Sequence, residues 1–557
     1  MIGVLAEDDE KEVVEEFFEL FKTSWEYYQE GKYYDVLLCS GELSGQENAA
    51  LLILYGSSRK EADARFGIEW RGRRGIVELD WKGGRFPVFR GVSILKQEKS
   101  AFLRVCPSKE PCGVMLGNGA PLVARIGYDL FEEIEFLLRS RQPSGFALAP
   151  ALEMHISILR ELMIGSEISF TEIPPAPYGY DFIVCLTHDI DFAGIRNHKL
   201  DHTMFGFLYR ALVKSGLDAA RGKSGWEKAW KNLLAAFSLP AVHLGIVKDF
   251  WIQFDRYLEL EKGMKSTFFF LPYKGVPGEN EGGGAPLRRA SKYDVGDLQG
   301  IVSGLISEGC EIGLHGIDAW HDPVKARSEA ERISSVTGHR VKGVRMHWLY
   351  FAAASPGILE EAGLSYDSTM GYNDAVGFCA GTAQVFRPPG AQELLELPLT
   401  IQDTAMFYSG RMDLGEKEAF ALCKDIIGKV GTFGGALVIN WHDRSLGPER
   451  LWGDFYEGLL KEIKCYRVCS CTAFEATEWF RKRRAVRFTE VDGGDGTRRL
   501  KIERVEKGQG PGLKLRLYGD WDAGGEAKDS GKGYREMPLR EDMELHVPPQ
   551  RPRSPQR

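Results

Sequence analysis

One stretch constrains the fold of this chain more than any other. The apolar run Phe182-Ile183-Val184-Cys185-Leu186 leads directly into Thr187-His188-Asp189-Ile190-Asp191. It follows the turn-rich Pro174-Pro175-Ala176-Pro177-Tyr178-Gly179 and, being short, β-branched and aromatic, reads as a buried strand. A strand ending in Asp-x-Asp delivers two carboxylates to the mouth of a sheet or barrel, where active sites are built. Two unpaired charges there would be costly in a purely structural role. From residue 181 onward, strands alternate with helices, which implies parallel βα units. The further strands are expected at Lys265 to Pro272, Cys310 to Leu314, Lys342 to Val344, Leu394 to Leu397 and Ala436 to Asn440. A long helical insertion, about 196–262, follows the first strand and carries Trp226, Trp230 and Trp251. The Gly-rich loop at 275–286 is too polar to pack and reads as a mobile lid.

With 557 residues the chain has material for two or three domains and ample core. A net charge of -8 argues against nucleic-acid binding by the whole molecule. The acidic start, Met1 to Glu10, lacks a basic leader, and no run approaches about 18 apolar residues. The expectation is therefore a cytoplasmic protein with no membrane span; the oligomeric state stays open. Ten cysteines are scattered, and Cys465, Cys469 and Cys471 lack the second pair that a zinc site needs, so they read as reduced structural thiols.

Residues 1–175 read as a mixed α/β domain. A helix is expected over 11–30, with Phe17, Phe21 and Trp25 on one side. Strands follow around Tyr34 to Cys39, Ala50 to Tyr55, Gly75 to Trp81 and Phe102 to Val105, then helices near Asp129 to Arg139 and Leu152 to Leu162. This region contains no phosphate loop and no nucleophile elbow. Residues 176–484 carry the βα pattern, 485–547 read as a small β-rich appendage, and 548–557, rich in Pro and Arg, as a disordered tail.

Five strand ends carry polar residues suited to catalysis: Asp189 with Asp191; His315 with Asp318 and His321; Arg345 with His347; Asp367; and His442 with Asp443. Asp and His at successive C-terminal strand ends of a βα barrel suit a mononuclear metal hydrolase. One carboxylate binds the ion, a second takes a proton from water, and a histidine opposite protonates the leaving group.

In this order the motifs resemble the NodB-homology polysaccharide deacetylases, related to family 4 carbohydrate esterases. The likeness spans about 181–480 and marks a divergent branch. Thr267-Phe268-Phe269 is similar to that family's second strand, Tyr366-Asp367-Ser368 to a later motif, and Asn440-Trp441-His442 to its closing motif. The resemblance implies an incomplete (β/α) barrel and a divalent ion, with zinc expected. Asp189 would be the base, Asp191 and His315 metal ligands, Arg345 the partner of Asp189, and His442 the acid; Asp367 is taken with the catalytic group. The family's second ligand histidine is missing: position 319 is Ala319. His321, Asp318 and His347 are the possible replacements, with a slight preference for His347 over His321.

The implied activity is metal-dependent hydrolysis of a non-peptide C–N bond, deacetylating an N-acetylated sugar, a glycan precursor or a small amide. Trp320, Trp348, Tyr350 and Trp441 are candidates to stack on a sugar, or else core. The rivals are a metal-poor pseudoenzyme that binds a glycan or partner, and a hydrolase of a cyclic amide or ureide. Residue by residue, blander readings also exist: a turn or cap at Asp189 and Asp191, a cap at Asp367, a loop position for His321, a packing role for His347. The run Arg481-Lys482-Arg483-Arg484 reads as the cationic end of a helix.

Overall fold

The computed structural model describes residues 1–557 except 44, 46, 118–120, 223–224, 493–497, 505–509, 523–526, 542 and 549–557. The expected disordered tail therefore lies outside the described residues from 549 onward.

The first part of the chain builds a nine-stranded mixed sheet. Its order is Trp25–Tyr27, Ile2–Leu5, Tyr33–Cys39, Asn48–Tyr55, Leu122–Ile126, Pro111–Leu116, Ala101–Cys106, Val77–Trp81 and Gly84–Val88. The first five strands run parallel and the others pair antiparallel. Helices Lys11–Leu20, Leu130–Ser140 and Ala151–Gly165 supply apolar faces to its core. The helix expected over 11–30 stops at Leu20, and Trp25–Tyr27 pairs with Ile2–Leu5 instead. Aromatic residues after Thr23-Ser24 favour a pleated half-buried surface over a further helical turn.

The second part curls a parallel sheet of short buried strands: β1 (Phe182–Ile190), β2 (Ser266–Phe270), β3 (Glu311–Gly316), β4 (Gly343–Met346), β5 (Tyr366–Asp367), β6 (Leu395–Glu396), β7 (Ile401–Gln402), β8 (Ala436–Asn440) and β9 (Val468–Ser470). Their spatial order is β6-β5-β4-β3-β2-β1-β8-β7, with β9 beside β1. β6 and β7 share no ladder and are joined only through residues 397–400, so the barrel is incomplete.

Strand alternation sorts the side chains. Val184, Leu186, Phe268, Leu314, Val344 and Ile439 belong to the core shared with the covering helices. Thr187, Asp189, Arg345 and Asn440 point to the other side and meet one another there.

The insertion after β1 consists of the helical run 202–220 and the helix Trp226–His243, over a small core with Met204, Phe207 and Trp251. The Gly-rich loop, expected to be a mobile lid, is pinned. It forms a small hairpin, Arg289 Nη1 donates to the Pro277 carbonyl at 2.6 Å, and Asp318 accepts from the Glu279 amide at 2.7 Å.

Beyond 485 the described residues form two small antiparallel sheets, one of which takes Phe170–Glu172 as its edge beside Lys514–Tyr518. The basic run closes the molecule rather than merely ending its helix, Ala473–Ala485. Arg484 makes two 2.8 Å hydrogen bonds to Glu16, and Arg483 donates to the carbonyls of Leu20 and Ile173. Met370, Tyr372, Cys379 and Phe386 of the barrel lie in the same apolar cluster as the first sheet and its helices.

Candidate metal centre

At the C-terminal ends of β1, β3 and β4, three side chains converge. Asp191 Oδ1 lies 3.3 Å from His315 Nε2 and 3.3 Å from His347 Nδ1, and the two ring nitrogens are 3.0 Å apart. Their other nitrogens fix the tautomers. His315 Nδ1 is 2.9 Å from the Arg345 carbonyl oxygen, and His347 Nε2 is 3.1 Å from that of Arg289. A carbonyl only accepts, so each of those nitrogens carries the proton. The two facing nitrogens therefore present lone pairs to each other. Burial pushes the His347 ring down to about 4, which keeps it neutral near pH 7. Asp191 Oδ1 is buried without a donor.

Three electron-pair donors with no proton among them would repel one another, and burial makes that costly. A divalent cation would resolve the arrangement. A zinc–ligand distance of about 2.0–2.2 Å in tetrahedral geometry spaces ligand atoms by roughly 3.3–3.6 Å, close to what is seen. The donor set of two imidazoles and one carboxylate suits zinc and its first-row neighbours.

Around this group the barrel arranges further titratable residues. Asp189 Oδ1 accepts from Arg345 Nη1 at 3.0 Å and Oδ2 from Asn440 Nδ2 at 2.7 Å. Burial raises the Asp189 carboxyl, but Arg345, aided by His442, outweighs it and holds the group below the usual carboxylate range. Arg345 is wholly buried, donates to Thr187 Oγ1, Ser368 Oγ and the Ser368 carbonyl, and stacks over Phe269.

Opposite, His442 Nε2 lies 3.9 Å from Asp191 Oδ2, while Nδ1 sits 2.6 Å from Asp403 Oδ1. Burial would lower the His442 ring, yet Asp403 and the nearby carboxylates lift it to about 9. Asp403 is fixed in turn by Ser445 Oγ and the amide of His442. Sequence reasoning missed Asp403, which follows a strand of only two residues, and the role of Asn440. The signal for Asn440 was its place two residues before His442, on the same strand face.

Other expected site residues fall elsewhere. His321 does not join Asp191: it stands on the loop before helix Pro323–Thr337, 3.5 Å from Asp318 and 4.0 Å from Glu279. That second carboxylate group already holds a cation, since Lys325 Nζ lies 2.8 Å from Glu279 and 3.1 Å from Asp318. Asp367 pairs in register with Val344, not Arg345, so alternation turns it to the helix-facing side. There it meets Thr369 and Glu396, and burial pushes its carboxyl up to about 6. It does not line the cleft. Asp443 accepts the amides of Phe192 and Ala193 and shapes the turn after β1. His188, facing outward, packs on Tyr257 and lies 3.0 Å from Glu261.

The cleft above the centre measures about 1080 Å³ and is lined by Asp189, Asp191, His315, His347 and His442. Of the four candidate stacking aromatics, Trp348 lines it. Trp441 is packed between Phe455 and Tyr456, and Trp320 is buried in the helix-side core. One wall carries Arg210, Arg444 and Arg450 around the single carboxylate of Glu449. Arg444 and Arg450 also donate to the Tyr408 hydroxyl.

No family model matches the chain, and neither does any curated protein. Solved structures do. Agd3, a novel carbohydrate deacetylase, is 6% identical and matches over 98% of each chain with a TM-score of 0.40. A candidate polysaccharide deacetylase from Mycobacterium smegmatis is 16% identical, covering 56% of this chain and 96% of its own, TM-score 0.34. PuuE allantoinase is 14% identical, covering 56% and 93%, TM-score 0.33. Likenesses of this degree assign neither family nor activity.

Proposed function

We propose that this protein is a metal-dependent hydrolase that removes an acyl group from an N-acylated amino sugar or glycan precursor, on an incomplete barrel of the polysaccharide deacetylase type. The observation that carries the reading is the set of three mutually facing, proton-free donors, Asp191, His315 and His347, beside an ionised Asp189 and a protonated His442.

A divalent ion held by Asp191, His315 and His347 would supply Lewis-acid polarisation of the amide carbonyl and acidify a water molecule. Asp189, kept ionised by Arg345 and oriented by Asn440, takes the proton from the attacking water. His442 Nε2, charged near neutral pH because Asp403 holds the other ring nitrogen, delivers a proton to the departing amine. Three guanidiniums sharing one carboxylate leave positive charge on the wall, which favours a substrate carrying a negative group near the acylated amine.

The test pairs elemental analysis with hydrolysis. Purified protein is expected to hold about one equivalent of a divalent metal, to release acetate from N-acetylated amino sugars, and to lose both after chelation. Metal-free protein under metal-replete conditions would overturn the reading. Turnover of ring amides with none of N-acetyl sugars would redirect it to a ureide-type substrate.

A further inference from the structure

Among the described residues, 22 large apolar side chains stand exposed, and 13 of them lie between 200 and 247, less than a tenth of the chain. On the helix Trp226–His243 they form one stripe: Trp226, Trp230, Leu234 and Phe237, continued by Leu244 just past its end. Their spacing of four, four, three and seven residues keeps them on a single face, and each is between 51 and 76% exposed. The opposite face of the same helix is also apolar, but small and buried: Ala235, Ala236, Leu239 and Val242. A helix on a soluble surface ordinarily turns polar residues outward. This one is apolar on both sides, and nothing among the described residues covers the larger stripe. Ile246 and Val247 extend it into the following loop.

The charge around the stripe is as unusual as its hydrophobicity. Residues 196–248 contain nine Lys or Arg against three Asp or Glu, inside a chain whose net charge is -8; Arg210, Lys228 and Lys248 are paired with Glu449, Glu416 and Asp255 from outside the segment, and the remainder is still net positive. A second copy would set one net positive face against another, and this repulsion disfavours pairing of the chain with itself through this face. An anionic lipid surface complements both properties. Tryptophan and phenylalanine seat at the headgroup boundary, lysine and arginine bind lipid phosphates, and the helix lies in the plane without spanning it.

We propose that the helical insertion is a membrane-docking element, seating the stripe from Trp226 to Leu244 in the interfacial layer of a bilayer with anionic headgroups. The insertion also lines the cleft from its other side, through Arg210, Lys214, Lys228 and Asn232. Docking would therefore hold the cleft beside the lipid surface. This assignment does not depend on which reaction the centre performs.

The full chain is tested by flotation with vesicles of phosphatidylcholine alone and with about one quarter phosphatidylglycerol, alongside sedimentation velocity without lipid. The native chain is expected to float with the anionic vesicles, to do so less in high salt, and to remain on the bottom with neutral ones. Trp226→Ser/Trp230→Ser/Phe237→Ser should lower the bound fraction by at least about tenfold. An unchanged circular-dichroism melt would show that this variant still folds. As a second check, Lys199→Glu/Lys231→Glu should weaken anionic binding while leaving the apolar stripe intact. Failure of the native chain to float with anionic vesicles would overturn the proposal. So would flotation that survives the triple substitution, or self-association in solution that the triple substitution abolishes.

Discussion

The pair His442–Asp403 makes the sharpest prediction. Asp403→Asn keeps an oxygen to accept the Nδ1 proton but removes the charge that lifts the ring to about 9. The ring should then fall towards its ordinary value near 6.5, with burial still lowering it and Asp191 and Asp189 still raising it. At pH 8 a group of pKa about 9 is roughly 90% protonated, and one of about 6.5 roughly 3%, so about thirtyfold fewer molecules carry the acid. At pH 5.5 both forms are about 90% protonated or more. The kcat/KM of the proposed deacetylation is therefore expected to drop about thirtyfold at pH 8 and by less than about twofold at pH 5.5, with the alkaline limb moving towards 6.5. NMR titration of the His442 ring would follow the same shift. The pair also carries a stability signature. A raised folded pKa adds stability that is complete below about 6.5 and is lost as pH climbs through about 9, up to about 3 kcal/mol. Urea unfolding of native and Asp403→Asn protein should accordingly converge at high pH. A loss of activity equal at pH 5.5 and 8 would refute the reasoning and leave Asp403 a purely structural partner.

Three further outcomes are expected. His315→Ala and His347→Ala should each cut bound metal by at least about tenfold in elemental analysis, whereas His321→Ala should retain it, because His321 sits with Asp318 and Lys325 instead. Asp189→Asn should keep the metal yet slow turnover by roughly 100-fold or more, read as kcat under saturating substrate; survival within about threefold would remove Asp189 from the base role. Asp367→Asn should leave kcat/KM within about threefold, since that carboxyl faces Glu396 and Thr369 behind the barrel wall.

Much of the candidate site was legible in the sequence because each of its groups ends a strand. Asp189 and Asp191 follow an unmistakable buried run, His315 follows Ile312-Gly313-Leu314, and His442 follows Leu437 to Asn440. Period-two alternation then separates what linear order alone confuses. Arg345 and His347 share a face, whereas Asp367 is in register with Val344 and looks the other way. The choice between His347 and His321 turns on the backbone: one leaves a strand end directly, the other lies five residues past β3 on a wandering loop. Asp403 was hidden because its strand has two residues, too few to show any period. The helix that stops at Leu20 shows the converse, a period continued past the point where a strand partner competes.

The shared interior of the first sheet and the barrel bears on how this molecule folds and how it tolerates trimming. A clone that began near Pro174 would leave Arg484 without Glu16 and Arg483 without the Leu20 carbonyl. It would also bare the side of Met370, Tyr372 and Phe386 that the first sheet and its helices now cover. Uncompensated guanidiniums beside an uncovered apolar wall invite aggregation, so the amino-terminal third behaves as a stave of the same cask rather than a detachable attachment.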